Sequence, residues 1–295
     1  MTRLSIGLPV YNGERYLAKA IGSLQDQSFR DYELIISDNA STDRTAEICR
    51  VFAKADSRIR YLRNDTNLGA ARNYNLVLEA AGGEYFKWAA HDDLCHPRFL
   101  AECVAVLDAE SDTVLVHSAS CGIDEHGSVI GQYGQERAFD QDRPSQRFGG
   151  VILRPHVCIA VFGVMRRAIL LQTIRHGDWV GADRNLLAEL ALHGRIRLLP
   201  KVLFKRRAHE ESSIHRFEDE HDRLSWFNPQ HRGRLSFPTW RRLAEYRAAI
   251  HKVPLSLPER LACYRQLGRW LIGRHHTGPR NARLLAGELL RPRRA

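Results

Sequence analysis

Short apolar runs alternate with stretches of helical periodicity along the first part of the chain, and this alternation restricts the fold more than any other feature. The runs of strand length are residues 4–10, 32–37, 59–63, 85–89 and 113–118. Between them lie segments with apolar residues at helical spacing, each long enough for about three to four turns. Strands that alternate with helices in this way are typical of an α/β fold with a mostly parallel sheet.

Two adjacent carboxylates, Asp92 and Asp93, follow the fourth run. Ligands of open α/β sheets bind at the carboxyl edge of the strands. Paired carboxylates at such an edge suit a hard divalent cation, which often also binds a substrate diphosphate. The alternative is that one of them only caps the helix predicted after Pro97. The metal interpretation is favoured because other motifs converge on the same edge.

Size and composition indicate a folded chain with one large domain and an appendage. The chain has 295 residues, of which 44% are hydrophobic, and we expect an α/β domain over residues 1–220. No apolar window is long enough for a transmembrane helix, and the N-terminus lacks the pattern of a signal peptide. None of the six cysteines forms a C-x-x-C pair, which argues against a zinc or disulfide framework and favours the cytoplasm.

Positive charge is concentrated in the predicted extension, residues 221–295. This part has 16 Lys and Arg against 4 Asp and Glu, and helices are predicted over residues 239–252, 257–275 and 280–290. The middle helix has an apolar stripe formed by Leu257, Leu261, Tyr264, Leu267 and Leu271. Either this helix packs on the body with a solvated basic face, or it attaches to an anionic membrane surface.

The region between residues 118 and 221 departs from the regular alternation. Residues 127–146 are polar and glycine-rich, and we expect a long functional or mobile loop there. An apolar run at residues 157–165 follows. A helix over residues 182–193 and a last strand over residues 195–204 complete the predicted body.

Several motifs in series resemble the signatures of the family 2 glycosyltransferases of the GT-A fold. They are the first strand and helix, then DNASTDRTAEI, NDTNLGAARNYNL and WAAHDD, beginning at Asp38, Asn64 and Trp88. The resemblance covers about residues 4–215. It implies a GT-A type, Rossmann-like sheet, a nucleotide-diphosphate-sugar donor, a divalent metal and an inverting transfer to an acceptor hydroxyl.

The resemblance implies a nucleotide-sugar site at the ends of the first strands. Asp38 matches the first acid of the family's D-D-G-S-T-D pattern, which is expected to face the base or ribose, while Asn39 and Ala40 replace the usual Asp and Gly. Ser41, Thr42 and Asp43 complete the motif and also suit a helix cap. The other positions that match nucleotide-binding elements are Pro9, Tyr11, Asn12, Glu14, Asn67, Gly69, Arg72 and Asn73.

The same resemblance assigns the metal site. His91-Asp92-Asp93 stands at the family's D-x-D-D, with Ala90 at the first acid. Asp92 is therefore the main expected ligand of Mg²⁺ or Mn²⁺, and Asp93 is a weaker one. His209 is expected to complete the metal shell, or else belongs to a solvated basic turn together with Arg206 and Arg207.

The expected general base is Asp183, which matches the acid that precedes a helix in the family. It would take the proton of the acceptor hydroxyl, and a helix cap is the alternative. Asp178 is the second candidate for the base. Trp179 either stacks on a sugar or belongs to the core, and Arg206 is expected to contact the diphosphate.

The predicted function is therefore the inverting transfer of a sugar from a UDP or dTDP donor. The acceptor hydroxyl is expected on a glycolipid, a lipid-linked glycan or a cell-envelope glycan. The alternatives are a nucleotidyltransferase-like enzyme and a non-enzymatic binder of anionic surfaces or nucleic acid. A cytoplasmic location, peripheral at the inner face of the membrane, is expected, no nucleic-acid partner is expected, and a homodimer is left open. The aromatic residues of the extension, Trp226, Phe227, Trp240 and Trp270, are predicted to belong to the core.

Overall fold

The sheet at the centre of the computed structural model is mixed, and its first four strands are parallel. The structure describes residues 2–211, 220–231 and 237–273. The strands run in the order β3-β2-β1-β4-β8-β6-β9-β5, with β7 paired to β6 and β8 antiparallel to its neighbours. Their bounds are β1 Leu4–Val10, β2 Tyr32–Asp38, β3 Ile59–Arg63, β4 Tyr85–Trp88, β5 Leu94–Cys95, β6 Thr113–Ile123, β7 Val129–Gln132, β8 Val164–Arg166 and β9 Arg195–Arg207.

Helices cover both faces of this sheet, which confirms the predicted α/β architecture. The helices of the described residues are α1 Leu17–Gln25, α2 Thr45–Ala55, α3 Ala70–Glu79, α4 Phe99–Ala109, α5 Pro144–Leu153, α6 Arg167–Leu170, α7 Ala182–His193, α8 Glu220–Phe227, α9 Pro238–Lys252 and α10 Leu257–Ile272. Short 3₁₀ turns lie at Cys158–Phe162 and Pro229–His231. The bounds of α7 are those predicted from the sequence.

Two apolar clusters fill the space between the sheet and its helices. One joins Leu4, Ile6 and Leu8 of β1 with residues of α1 and α4. The other joins Phe86 and Trp88 of β4 with residues of α5 and α7. Because neighbouring side chains of a strand point to opposite faces, one short strand can supply both clusters.

Helices α9 and α10 belong to the second cluster, so the described part of the extension shares the core of the body. Tyr246 of α9 meets Trp270 of α10 edge to face, with ring centroids 5.4 Å apart. The core-facing residues of α10 are Cys263, Leu267 and Trp270. The predicted helix over residues 280–290, and the end of the one predicted over 257–275, lie outside the described residues.

The apolar stripe identified along α10 lies only partly in the core. Leu267 is 5% exposed, whereas Leu257 and Leu261 are 67% and 61% exposed. The prediction that Trp240 of α9 belongs to the core was wrong, because this side chain is 60% exposed. Sequence periodicity shows that a helix has an apolar side, but α10 has two such sides. Among the described residues, no helix is long and apolar enough to cross a membrane.

The helix-cap alternatives were correct only for Asp43. Oδ1 of Asp43 accepts the backbone N–H of Thr45, the first residue of α2, at 3.0 Å, whereas Ser41 and Thr42 lie three to four residues before that helix. Helix α4 begins at Phe99 behind Arg98, so neither acid of the Asp92 pair caps it. The N-cap of α7 is Gly181, at φ +89°, and Asp183 lies inside the first turn.

The long loop predicted at residues 127–146 is shorter than expected. It contains strand β7, and helix α5 already begins at Pro144. The apolar run at residues 157–165 forms a 3₁₀ turn and the start of β8. Strands β6 and β9 are longer than predicted because they pair with each other over most of their length.

Candidate active site

Three neighbouring strands end at one edge of the sheet and carry the predicted site residues there. Strands β1, β2 and β4 are parallel, and they end at Val10, Asp38 and Trp88. Since β1 lies between the other two, the loops that follow all three strands meet at this edge.

The loops after β1 and β2 hold each other through reciprocal hydrogen bonds. The backbone N–H of Asn12 donates to Oγ of Ser41 at 2.9 Å, and that of Glu14 donates to Asp43 at 3.0 Å. In return, Glu14 accepts the backbone N–H of Arg44 at 2.9 Å. Asn12 and Glu14, which were predicted to bind the nucleotide, therefore hold the loops after β1 and β2 together through these bonds. Pro9 is buried in β1, whereas the side chain of Tyr11 is exposed at the edge.

Asp38 is completely buried, and the protein itself satisfies its carboxylate. One oxygen accepts the backbone N–H of Ser41 at 2.8 Å. The other accepts the hydroxyl of Tyr61 at 2.8 Å and the guanidinium of Arg63 at 3.0 Å. The residue predicted to face the base or ribose thus fixes the end of β2 in this structure.

A network of asparagine side chains holds the turn at residues 67–69, which was predicted to contact the nucleotide, against the end of β2. Nδ2 of Asn39 donates to Oδ1 of Asn67 at 2.8 Å, and Oδ1 of Asn39 accepts the N–H of Leu68 at 2.9 Å. Gly69 follows at φ +83°, and a Cβ there would lie 2.6 Å from the carbonyl oxygen of Phe227. A glycine is required at this position, and the segment after α8 packs directly over the turn.

The carboxylate of Asp92 lies beside the imidazole of His209. Nε2 of His209 is 2.9 Å from Oδ2 of Asp92, and their side chains are 3% and 16% exposed. Although burial alone would raise the pKa of the Asp92 carboxyl, His91 and His209 lower that pKa overall. The ring of Tyr16 packs edge-on against His209 with centroids 4.8 Å apart.

These two side chains fit a shared divalent cation. Neighbouring ligands of an octahedral ion at about 2.1 Å lie about 3 Å apart, close to the Asp92–His209 spacing. Nδ1 of His209 is buried without a hydrogen-bond partner in the described residues. No group of three or more His, Cys, Asp or Glu side chains in the described part could hold a metal, so the other ligands would be diphosphate and water oxygens.

Asp93 has a different environment from Asp92. Its Oδ1 accepts the backbone N–H of Arg207 at 2.9 Å. Burial and the charge of Asp92 raise the pKa of Asp93 to about 8. The environment of Asp93 therefore favours the protonated carboxyl, whereas that of Asp92 favours the carboxylate.

Arg207 ties the turn that contains these carboxyls to the rest of the fold. Its guanidinium donates to the carbonyl oxygens of Asp92 at 2.9 Å and Asp124 at 2.7 Å. The same group lies 4.7 Å from the centroid of the Tyr16 ring. Arg207 is only 3% exposed, so it acts as a structural clamp.

Arg206 and Arg72, which were predicted to contact the nucleotide sugar, differ in their surroundings. Arg206 is half-buried and lies 5.7 Å from the centroid of the Tyr133 ring. Arg72 lies on the surface of α3, where its guanidinium binds both carboxylate oxygens of Glu79 at 2.8 and 2.9 Å. Since Glu79 is two turns further along α3, this ion pair directs Arg72 away from the turn at Gly69.

Asp183 lies in the first turn of α7, beside a pair of stacked rings. Its side chain is 39% exposed, and its Oδ1 is 3.6 Å from Nε2 of the buried His176. The rings of His176 and Tyr74 are 4.5 Å apart. Burial raises the pKa of the Tyr74 phenol, and the charges of Asp92, Asp183 and Asp93 raise it further. Tyr74 is thus within electrostatic reach of both the expected metal ligand and the expected base.

The extension forms one wall beside Asp183. The guanidinium of Arg241 lies 4.3 Å from the centroid of the Trp179 ring, and Nε1 of Trp179 donates to Asn185 at 3.2 Å. Asp178, the second candidate for the base, accepts the side-chain N–H of Asn228 at 2.9 Å. Asp178 and Trp179, the two residues of this turn that were predicted to belong to the site, therefore both contact other protein groups.

Three residues of this region were not identified from the sequence as parts of the site. They are Tyr16, Tyr74 and His176, which contact His209 or lie beside Asp183. Each belongs to a segment whose sequence pattern is that of an ordinary helix or loop. The contacts of Tyr16 with His209 and of Tyr74 with His176 join residues about 100 or more positions apart, so no local signal marks them.

A family model and several curated proteins match this chain. The model described as "Glycosyl transferase family 2" matches residues 5–171. The glycosyltransferase GlyG of Streptococcus pneumoniae is 24% identical over 72% of this chain and 64% of its own length. A Campylobacter jejuni protein named GalNAc(5)-diNAcBac-PP-undecaprenol beta-1,3-glucosyltransferase is 31% identical over 45% of this chain and 42% of its own. The chain spans less than two thirds of the length of these relatives.

Solved structures share the fold at low sequence identity. S. aureus TarS 1–349 in complex with UDP-GlcNAc superposes with a TM-score of 0.61 at 16% identity, covering 91% of this chain and 71% of that one. The mannosyltransferase PcManGT from Pyrobaculum calidifontis, in complex with GDP-Man and Mn²⁺, gives a TM-score of 0.53 at 18% identity. This match covers 98% of this chain and 80% of that one.

Proposed function

The chain belongs to family 2 of the glycosyltransferases, and we propose that it transfers a sugar from a UDP or dTDP donor to an acceptor hydroxyl with inversion at the anomeric carbon. The observation that carries this proposal is that two carboxylates, Asp92 and Asp183, both lie within electrostatic range of Tyr74. Asp92 stands beside His209 at the end of β4, and Asp183 stands in the first turn of α7. Asp92 would act on the donor, and Asp183 would act on the acceptor.

The donor would lie across the edge formed by the loops after β1, β2 and β4. The exposed ring of Tyr11 is available to stack on the base. Arg206, half-buried near Asp93, is a donor of hydrogen bonds to the diphosphate. The structures of TarS and PcManGT contain UDP-GlcNAc and GDP-Man, which supports a nucleotide-sugar donor.

Asp92 and His209 would hold Mg²⁺ or Mn²⁺ together with oxygens of the diphosphate. When bound there, the ion would neutralise the negative charge that builds up on the leaving nucleoside diphosphate. Asp93 was also predicted as a ligand. We assign it instead to the turn that Arg207 clamps, because its Oδ1 accepts the backbone N–H of Arg207 at 2.9 Å.

Asp183 would remove the proton of the acceptor hydroxyl as that oxygen attacks the anomeric carbon. Its carboxylate is accessible from solvent, and His176 stands beside it on the side of the core. Burial lowers the pKa of His176, although the charge of Asp183 opposes this shift, so the neutral ring is favoured beside the base. A single displacement of this kind inverts the anomeric configuration.

We propose an acceptor of the glycolipid, lipid-linked or cell-envelope class. The name of the Campylobacter jejuni relative includes an undecaprenol-linked acceptor, which supports this class. Such an acceptor would bring the reaction to a membrane surface.

The proposal is tested by measuring nucleoside-diphosphate release from a panel of sugar nucleotides, with Mn²⁺, with Mg²⁺ and with chelator. We expect release from one UDP- or dTDP-sugar that is stimulated by metal and slow until an acceptor extract is added. The Arg50→Glu variant, changed on the exposed surface of α2, should match the wild type. If no sugar nucleotide in the panel is bound or hydrolysed, the proposed donor class is wrong.

A further inference from the structure

Helices α9 and α10 carry large apolar side chains on a side turned away from the core. Trp240 is 60% exposed, Leu257 67%, Leu261 61% and Leu271 39%. Single exposed apolar residues are normal on a protein surface, but a group of them usually marks an interaction surface.

One ring contact joins the two helices beside these residues. The ring of His251 in α9 meets that of Tyr264 in α10 at a centroid distance of 5.8 Å. Side chains three, four, seven or eleven positions apart lie on one side of a helix. Trp240 and Arg247 therefore lie on the same side of α9 as His251, and Leu257, Leu261 and Leu271 lie on the same side of α10 as Tyr264. We call these five residues, together with Arg265, the hairpin face.

The charge around the hairpin face is positive. Arg247 and Arg265 are exposed and have no ion-pair partner in the described part of the chain. The acids of the two helices, Glu245 and Glu259, are each already paired with an arginine at 2.9 and 2.7 Å. Residues 274–295, which continue from α10, add six arginines against the single acid Glu288.

From this combination we propose that the hairpin face lies on an anionic lipid surface. Apolar side chains bordered by arginines fit the boundary between acyl chains and anionic head groups. A second copy of the chain fits less well, because a twofold contact would bring Arg247 and Arg265 close to their own equivalents. Residues 274–295 fit less well for the same reason, since they would bring further positive charge onto a positive face.

The hairpin face lies close to the wall of the proposed acceptor site. Trp240 is adjacent to Arg241, whose guanidinium stacks on Trp179 in the turn that leads into Asp183. A lipid surface bound by the hairpin face would therefore lie near the proposed base. This placement suits an acceptor carried by a lipid, although the binding itself does not depend on the transfer reaction.

The test is co-sedimentation of the full chain with phosphatidylcholine vesicles, with and without phosphatidylglycerol. The variants are Leu257→Glu/Leu261→Glu and Arg265→Glu. Matched controls are Val51→Glu and Arg50→Glu on α2, where Val51 is 62% exposed. Because all the substituted side chains are largely outside the core, thermal unfolding and donor hydrolysis should match the wild type in every variant.

We expect the wild type to bind only vesicles that contain phosphatidylglycerol. The double leucine variant should lose binding by at least about tenfold, and Arg265→Glu by roughly fivefold or more, while both controls retain it. The proposal is overturned if the wild type does not bind these vesicles, or if the hairpin variants bind as well as the controls. It is also overturned if the variants abolish a dimer or retention on DNA while vesicle binding is unchanged. Donor hydrolysis by the same samples tests the proposed function separately.

Discussion

Replacing Asp183 by asparagine is expected to lower sugar transfer by about 10²–10⁴-fold, the usual contribution of a general base. Asparagine keeps the size of the side chain but cannot accept the proton of the acceptor hydroxyl. Asp183 lies in the first turn of α7 and is not the N-cap residue, so the helix should remain folded. The measurements are kcat for transfer and Kd for the donor, and we expect only kcat to fall.

The matched control for this variant is Asp178→Asn. The carboxylate of Asp178 accepts a hydrogen bond from Asn228, and asparagine can accept the same bond. We expect activity within a few-fold of the wild type. If Asp178→Asn abolishes transfer while Asp183→Asn retains it, the assignment of the base to Asp183 is wrong.

Replacing Asp92 by alanine is expected to lower kcat/KM for the donor by about 10²–10³-fold, a loss comparable to that of one electrostatic stabiliser in other enzymes. The variant removes the carboxylate of the Asp92–His209 pair, and with it the proposed attachment of metal and diphosphate. Titration with Mn²⁺ should show weaker stimulation, and donor binding in the presence of metal should fall to the level measured with chelator.

His209→Ala should give a similar loss, because its imidazole is the other member of the pair. Asp26→Ala, which changes an exposed acid at the end of α1, should behave like the wild type.

Full activity of Asp92→Ala in the presence of chelator would contradict the metal role. The stabilisation of the leaving group would then have to come from Arg206 and neighbouring donors.

Much of the fold could be predicted because it depends on local periodicity. The bounds of α7 were predicted without error, and strands β1, β2 and β3 agree with the apolar runs to within a residue. Strands β1 and β2 are short apolar runs that are buried over nearly their whole length, and α7 has apolar residues at helical spacing. The family 2 assignment was confirmed by the family model that matches residues 5–171.

The orientation of α10 could not be predicted, because the helix has two apolar sides. One contains Leu257 and Leu261, and the other contains Cys263, Leu267 and Trp270. Both have helical spacing, so the sequence contains no information about which side meets α5 and α9. The choice depends on packing against a partner that is distant in sequence.

The contacts inside the site could be predicted only in part. The motifs located Asp92 and Asp183, and the structure brings both near Tyr74. They did not show that Asp38 is buried and satisfied by the protein, or that Arg207 clamps the Asp92 turn. Those contacts join residues separated by 23 and 115 positions, and residue type alone does not specify them.

The most direct test of a single displacement assisted by Asp183 is the anomeric configuration of the first product. An α-configured donor would be incubated with the enzyme and a short alcohol or water as acceptor, and the product followed by proton NMR before the anomers equilibrate. The proposed mechanism predicts that the β anomer forms first, and that Asp183→Asn slows its formation. First formation of the α anomer would contradict the mechanism, because retention requires a covalent intermediate or attack from the same face.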